Sequence, residues 1–270
     1  MIGRAVRNIA VVVLALLWLV PTYLLIVHGV SSVHGFTGTA RWFPNSFGLF
    51  DNVGKAWSTA QFGPAMINSL VYAVVSGGLA VLIASLAAFA VVAMPSRRPT
   101  MWFWVIYAGT LFPLQMFLRP LFSSYAKLNL YDTKLGLFII YTAMCIPFAF
   151  FVVRNYLASV PRDMVEAARI DGAPWWRVFA SVHFPLGRPA MAAAFIFQFV
   201  WVWNDLLFGI TLTFSPGARP LMAALAGLQG SYSTVGPPVV LAGALVVSLP
   251  TVILFFAFQR LFVSSLRTNI

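Results

Sequence analysis

Six long apolar segments are the feature that most limits how this chain can fold. They cover residues 9–30, 66–94, 101–122, 135–157, 189–212 and 239–263, and each reaches the roughly 20 residues that a helix needs to cross a bilayer. In hydrocarbon, a helix pairs its backbone polar groups within one segment, and the alternation expected of barrel strands is absent here. The sequence therefore predicts an all-α, polytopic membrane protein with six transmembrane helices.

The composition agrees with a membrane protein and argues against several soluble classes. Hydrophobic residues make up 61% of the chain and charged residues only 9%, too few polar groups to cover a soluble core of this size. The net charge of +11 does not indicate nucleic-acid binding, because the basic residues are dispersed between apolar segments. Cys145 is the single cysteine, and the 3 histidines lack metal-ligand spacing, so we expect neither a disulfide nor a metal site.

The start of the first apolar segment is similar to a secretory signal peptide, because Arg4 and Arg7 precede it. However, the segment continues to residue 30, and no small-residue cleavage site closes it. We therefore expect a retained transmembrane helix.

The distribution of basic residues predicts the side of the membrane on which each loop lies. With a cytoplasmic N-terminus, the inner segments hold Arg4, Arg7, Arg97, Arg98, Arg154, Arg162, Arg169, Arg177, Arg188, Arg260 and Arg267. The outer segments then hold only Arg41, Lys55, Arg119, Lys127, Lys134 and Arg219. Because lysine and arginine are enriched in cytoplasmic loops, both termini are predicted to be cytoplasmic.

The longest inner connection, residues 158–188, is too polar to enter the bilayer. Placing its charged residues at the bilayer centre would cost about 2.5–3.5 kcal/mol each. Ser159 is a candidate N-cap, and Asp163 and Glu166 place negative charge where a helix dipole is positive. Gly172 supplies a stop, because glycine readily adopts the left-handed backbone that ends many helices. A helix of about ten residues is predicted, either docked in a groove of a partner or solvated with local ion pairs.

The run EAARIDGAPWWRVFASVHFPLGRP in this loop resembles the EAA loop of ABC importer permeases. The shared pattern is Glu166, Ala167 and Ala168, then Gly172, then Phe184-Pro185-Leu186. Further motifs extend the resemblance over residues 60–265: Asn68-Ser69-Leu70, Ala87-Ala88-Phe89-Ala90, Phe112-Pro113 with Gln115, Pro147-Phe148 and Trp203-Asn204-Asp205. Together these motifs are similar to the sugar-uptake branch, specifically the MalG-like family of binding-protein-dependent transport system inner membrane components.

The resemblance implies the transmembrane domain of a type I ABC importer (MetI-like). Residues 1–65 would form the first transmembrane helix and external loop, and residues 66–265 a permease core with five transmembrane helices. The implied partners are a second, MalF-like permease, two ATP-binding subunits, an extracytoplasmic sugar-binding protein, the sugar and membrane lipid, with no nucleic acid. The complex would lie in a bacterial or archaeal cytoplasmic membrane.

The resemblance also implies a role for the inner loop, as a coupling helix seated in a cleft of the cytoplasmic ATPase. The residues expected to make this contact are Glu166, Ala167, Ala168, Arg169, Asp171 and Gly172. The sequence contains no phosphate-binding P-loop, so we expect a translocating subunit rather than an enzyme, without catalytic residues or a cofactor of its own. ATP and magnesium are expected in the partner ATPase.

Polar residues inside apolar segments are candidates for a sugar path. The candidates are Gln115, Gln198, Trp203, Asn204 and Asp205, and Asn68 and Gln259 are polar residues in similar surroundings. Amides and carboxylates can bind sugar hydroxyls, but the same groups often bond neighbouring helices to one another. Two other functions stay open: a permease for another solute, such as a polyol or a sugar phosphate, and a secondary carrier that needs no ATPase.

Overall fold

Helices form the regular structure of this protein. The computed structural model describes residues 2–36, 38–95, 97–161, 163–229 and 235–267, and at 2–3 and 259–267 it describes the backbone alone. Within these residues the only other pairing is an isolated bridge between Ser31 and Phe47. The helices are α1 (Ile2–Val30), α2 (Leu49–Thr59), α3 (Phe62–Val71), α4 (Gly77–Ala93), α5 (Pro99–Tyr107), α6 (Gln115–Lys127), α7 (Lys134–Leu157), α8 (Asp163–Ile170), α9 (Trp175–Val178), α10 (Phe184–Trp203), α11 (Leu207–Leu212), α12 (Leu221–Gly227) and α13 (Pro237–Arg267).

The lengths of the helices confirm the predicted fold class. In the part of the chain that the structure describes, five helical stretches are long and apolar enough to cross a membrane: residues 4–30, 62–93, 134–157, 175–203 and 237–258. A bent pair, residues 99–110 and 115–127, makes a sixth crossing if it is counted as one span, with an angle of 86° between its two halves. Pro113 lies at the break, where proline lacks the N–H that would continue the helix.

The fifth span begins and ends earlier than predicted. A π-helical turn, Phe179–His183, joins α9 to α10, so the helix runs without a break from Trp175 to Trp203 rather than from 189 to 212. Pro185 falls in the first turn of α10, where proline is tolerated, and the segment predicted to be a loop continues as helix. After Trp203 the chain turns and starts α11 as a separate helix.

The chain packs as two units. The first unit comprises Met1–Gly63 and Ala224–Ile253, and the second comprises Pro64–Ala223 and Leu254–Ile270. The predicted division at residue 65 remains a prediction for the organisation of the chain in its complex.

In the second unit, α4, α7 and α10 form a tightly packed core. Its buried residues are Val81, Ala84, Ala88, Ala149, Phe150, Val153, Leu157, Met191 and Ala194. Several of these are alanines, which let transmembrane helices approach closely and gain van der Waals contact. Because α7 ends and the α9–α10 helix begins at the loop that carries α8, this core holds both ends of the predicted coupling loop.

Candidate functional site

The predicted coupling helix is present as α8, which is shorter than expected. It spans the eight residues Asp163–Ile170, with Asp163 and Glu166 in its first turn. The Ser159 hydroxyl does not cap α8 as predicted, because it donates instead to the carbonyl of Tyr156 at the end of α7 (2.7 Å). The two carboxylates still lie at the positive end of the helix dipole.

Gly172 ends α8 in the way that the sequence predicts. Its φ of 77° lies in the left-handed region, which side chains with a Cβ rarely adopt. The N–H of Ala173 donates to the carbonyl of Ala168 (3.0 Å), and the N–H of Gly172 donates to the carbonyl of Arg169 (3.1 Å). This pair of bonds is a Schellman motif, which satisfies carbonyls at the end of the helix.

Arg169 makes two contacts within the chain. Its guanidinium donates to the carbonyl of Ala173 at 2.6 Å and lies 4.3 Å from the centre of the Trp175 ring. Both contacts cross the turn between α8 and α9, so Arg169 fastens the two helices together. A cation–π contact of this kind is worth on the order of 0.5–1 kcal/mol at an exposed site.

An aromatic cluster continues this connection into the core. The ring of Phe89, near the end of α4, lies 6.1 Å from Trp175, 5.4 Å from Phe179 and 4.7 Å from His183. Phe89 is buried, and close-packed rings resist relative movement. The contacts therefore join α8, through Trp175, to two of the helices that form the core.

The outward surface of α8 is available for contact. Glu166, Ala167 and Asp171 are exposed, and Ala168 is half-buried. Sequence reasoning missed Ile170, whose side chain is 85% exposed between charged neighbours. The signal that could have found it is an isoleucine in the last turn of a helix that is otherwise charged or small.

A cavity of about 460 Å³ lies behind α8. Its lining includes Glu166, Arg154 of α7, Thr100 of α5 and His183. His183 is only 2% exposed, and both of its ring nitrogens are buried without a hydrogen-bond partner among the described residues, so it is an internal residue of the loop rather than a solvated one. The guanidinium of Arg154 contacts neutral groups, the Phe103 ring and the side chain of its neighbour 155.

The residues predicted to form a sugar path do not lie together in the structure. Gln198 lines a second cavity of about 300 Å³ at the break of the bent pair, together with the aromatic residues Phe148, Phe197 and Trp201. Gln115 is exposed at the start of α6 and does not line this cavity. The cavity combines aromatic faces with one amide, the composition that ligand sites commonly show.

The motif at the end of α10 is mostly engaged within the fold. Trp203 is fully buried and stacks on Phe199 with ring centres 5.9 Å apart. The carboxylate of Asp205 accepts hydrogen bonds from the hydroxyl of Tyr141 (2.8 Å) and from the N–H groups of residues 208 and 209 (3.1 Å each). Asn204 is exposed and donates to the carbonyl of Val200 (2.8 Å). The structure therefore brings Gln198, rather than the whole motif, to a cavity.

Two polar side chains fasten the loop formed by residues 213–219. The amide of Asn68 donates to the carbonyls of residues 216, 217 and 219 at 3.1–3.2 Å, and Asp132 accepts N–H groups of Phe214 and Ser215 at 2.8 Å each. Partial burial raises the pKa of the Asp132 carboxyl, but these hydrogen bonds and the charge of Arg219 outweigh it and hold the pKa below its usual value. The side chain of Gln259 lies outside the described residues.

Comparisons with known proteins bear directly on the family. Residues 1–268 match the family described as "Binding-protein-dependent transport system inner membrane component". The chain is 32% identical over 263 residues to the osmoprotective compounds uptake permease protein GgtD of Synechocystis sp., covering 95% of this chain and 88% of that protein. It is 35% identical over 237 residues to the alpha-glucoside transport system permease protein AglG of Rhizobium meliloti, covering 86% of this chain and 61% of that protein.

A solved structure supports the same assignment at the level of the fold. It is a bacterial ABC transporter involved in the import of the acidic polysaccharide alginate, matched with a TM-score of 0.76 and 23% identity over 96% of both chains. The predicted fold and family are thus confirmed. This chain belongs to the binding-protein-dependent transport system inner membrane components, and it is a transmembrane permease subunit of that family.

Proposed function

We propose that this chain forms half of the translocation path of an ATP-driven sugar importer and receives the power stroke through α8. The observation that carries the proposal is the construction of α8: a short exposed helix, closed by Gly172 and joined to the core through Arg169, Trp175 and Phe89. A loop that is only solvated would not need these contacts. A helix that transmits movement from a partner must be held rigidly against the rest of the protein. Movement of α8 by a partner would therefore displace α4 and the α9–α10 helix as one body.

In this proposal, ATP is bound and hydrolysed by other subunits. The sequence has no phosphate-cradling P-loop, so ATP and magnesium are assigned to two ATP-binding subunits that receive α8 on the cytoplasmic side. A second, MalF-like permease completes the path, and a soluble sugar-binding protein delivers the sugar at the opposite face. The proposed location is the cytoplasmic membrane, with both termini in the cytoplasm, as the excess of basic residues in the inner loops indicates.

The proposed cargo is an uncharged sugar. The cavity beside Gln198 offers aromatic faces for C–H surfaces and an amide for hydroxyls, and the described side chains that line it carry no charge. The name of the Rhizobium meliloti relative, which specifies alpha-glucoside, supports this class. A polyol is the second candidate, because the name of the Synechocystis relative, osmoprotective compounds, does not specify a sugar.

The coupling role is tested by two substitutions with matched controls. Gly172→Ala strains the left-handed end of α8 by roughly 1–2 kcal/mol. Gly38→Ala makes the same change at an outer-loop glycine that also has a φ of 77° and no described atom within 4 Å of the added Cβ. Glu166→Lys reverses a charge on α8, and Asp51→Lys does so in the first turn of α2. We expect the variants at 172 and 166, but not the controls, to lose the ATPase on co-purification while still inserting in the membrane. Intact co-purification of both would contradict the proposal.

The importer class is tested by reconstitution. The complete complex in vesicles should accumulate sugar only with ATP and a sugar-loaded receptor, and the permeases alone should show no transport. Uptake driven by an ion gradient through the permeases alone would indicate a secondary carrier. Binding measurements on the purified receptor identify the solute, and a receptor that holds an ionic ligand would overturn the sugar assignment.

A further inference from the structure

Trp201 forms part of the wall of the cavity beside Gln198. Both residues line this cavity of about 300 Å³, and they lie on the same face of α10 because they are three positions apart. Helix α10 ends at Trp203, and Asp205 follows in the turn before α11. The end of the motif Trp203-Asn204-Asp205 therefore lies about one helical turn beyond the cavity wall.

The orientation of the Trp201 ring depends on the side chain that packs against it. The indole N–H has no hydrogen-bond partner among the described residues. The ring of Tyr141 meets the indole edge to face, with centres 6.3 Å apart and an angle of 89° between the planes. Tyr141 is fully buried in α7, three positions before Met144, which lines the cavity. Tyr141 therefore supports the cavity wall from behind.

Tyr141 is itself held at both its hydroxyl and its ring. The hydroxyl donates to Oδ2 of Asp205 (2.8 Å), and the same oxygen accepts the N–H groups of Phe208 and Gly209 (3.1 Å each). The centre of the Tyr141 ring lies 5.8 Å from that of Tyr72 and 6.5 Å from that of Phe208. A side chain that is close-packed and hydrogen-bonded in this way keeps one position.

We propose that Asp205 and Tyr141 are positioning residues, which hold Trp201 as an aromatic platform for a sugar ring. That the cavity receives a sugar rests on the function proposed above. The C–H face of a cyclic sugar can pack on the indole, while the amide of Gln198 on the same face of α10 binds a hydroxyl. A linear polyol has no such flat face, so the platform selects a cyclic sugar.

The carboxylate of Asp205 thus acts on the sugar path without contacting the sugar. Asp205 is 9% exposed and Tyr141 is fully buried, so neither side chain is open to a solute in the cavity. A single oxygen of Asp205 accepts all three hydrogen bonds. Asparagine can place its oxygen at the same point and keep these bonds, whereas alanine removes them.

The positioning role is tested by fluorine NMR of the full-length chain in lipid nanodiscs. All 9 tryptophans are replaced by fluorotryptophan, and Trp201→Phe assigns the resonance of residue 201. We expect Tyr141→Leu and Asp205→Ala to shift or broaden this resonance and Asp205→Asn to leave it in place. Tyr125→Phe is the matched control, because it removes another buried hydroxyl bond, to the carbonyl of Gly136 (3.0 Å).

The resonance of Trp175, which packs on Phe89, reports whether a variant keeps the fold. If Tyr141→Leu moves this resonance as well, Tyr141→Phe decides instead, because it keeps the ring and loses only the bond to Asp205. It should then shift the Trp201 resonance, although by less than Asp205→Ala. A resonance that none of these variants moves, or that Tyr125→Phe moves as much, would overturn the positioning role.

The platform is tested by titrating the labelled chain with methyl α-glucoside or with sorbitol, a linear polyol. The glucoside should move the Trp201 resonance, and sorbitol at the same concentration should not. Loss of the Tyr141 ring contact in Tyr141→Leu should weaken the apparent affinity for the glucoside by roughly 2- to 10-fold. An equal response to both solutes, or a response to neither, would overturn the platform. ATP-driven uptake by the complete complex is measured separately, so failure of this inference leaves the proposed importer class intact.

Discussion

Replacing Asp205 distinguishes a structural carboxylate from one that binds the transported solute. The Asp205 side chain is 9% exposed, and a single oxygen accepts hydrogen bonds from the hydroxyl of Tyr141 and from two N–H groups at the start of α11. Tyr141 is fully buried, so solvent water cannot replace the carboxylate as the hydrogen-bond acceptor of its hydroxyl. The same carboxylate joins α7 to the turn after α10 and caps α11.

The cost of the substitution can be worked from these bonds. Loss of a helix cap costs about 0.5–2 kcal/mol, and a buried hydroxyl left unpaired costs about 1–3 kcal/mol. The measured stabilisation from a hydrogen bond between transmembrane helices lies at the low end of this range, about 0.6 kcal/mol on average. Asp205→Ala should therefore destabilise the chain by roughly 2–4 kcal/mol, and Tyr141→Phe, which removes one bond and keeps the cap, by roughly 0.5–1.5 kcal/mol. Asp205→Asn keeps an acceptor oxygen and should lie between wild type and Asp205→Ala.

The assay is unfolding of the full-length chain in detergent, followed by sugar uptake in vesicles that hold the complete complex. We expect Asp205→Ala to lower the unfolding midpoint more than Tyr141→Phe, and the double variant to lose less than the sum of the two, because both remove the same bond. An Asp205→Ala midpoint equal to that of the wild type would refute the structural reasoning. Loss of uptake by Asp205→Asn at unchanged stability would instead show that the carboxylate contacts the solute.

Three further predictions concern loops and close contacts in the second unit. Asn68→Leu leaves carbonyls of the loop 213–219 unpaired, so it should destabilise the loop by about 1–3 kcal/mol. The measurement is the rate of proteolysis in this loop, which should rise; an unchanged rate would contradict the prediction. The pKa of Asp132 is lowered in the fold, so its stabilisation is complete above the unfolded value of about 3.9 and is lost as the pH falls through the folded pKa. Proteolysis of the loop should rise in that acidic range, and Asp132→Asn should remove the dependence on pH. Gly136→Ala places a Cβ against the carbonyl oxygen of Leu130, too close for a real contact, and should lower the unfolding midpoint sharply. Gly227→Ala, where the added Cβ meets no described atom within 4 Å, should not.

The sequence by itself determined the features that depend on local backbone chemistry. Apolar segments of bilayer length require helices, because hydrocarbon offers no other partner for the backbone. Gly172 predicted the end of α8, since the left-handed backbone there favours glycine, and the missing N–H of Pro113 accounts for the break in the third span. These features need no knowledge of which helix packs against which.

Only the tertiary structure decided the role of each polar side chain. Asp205 looked like a sugar ligand because its partner, Tyr141, is 64 residues away in the sequence. Asn68 bonds a loop about 150 residues further along the chain, and the contact of Tyr23 with Trp42 reveals that the first loop doubles back. Such pairs depend on the rotation of each helix about its axis and on its depth in the membrane. The periodicity of apolar residues fixes neither of these closely, because surfaces that face lipid and surfaces that face other helices carry similar apolar side chains.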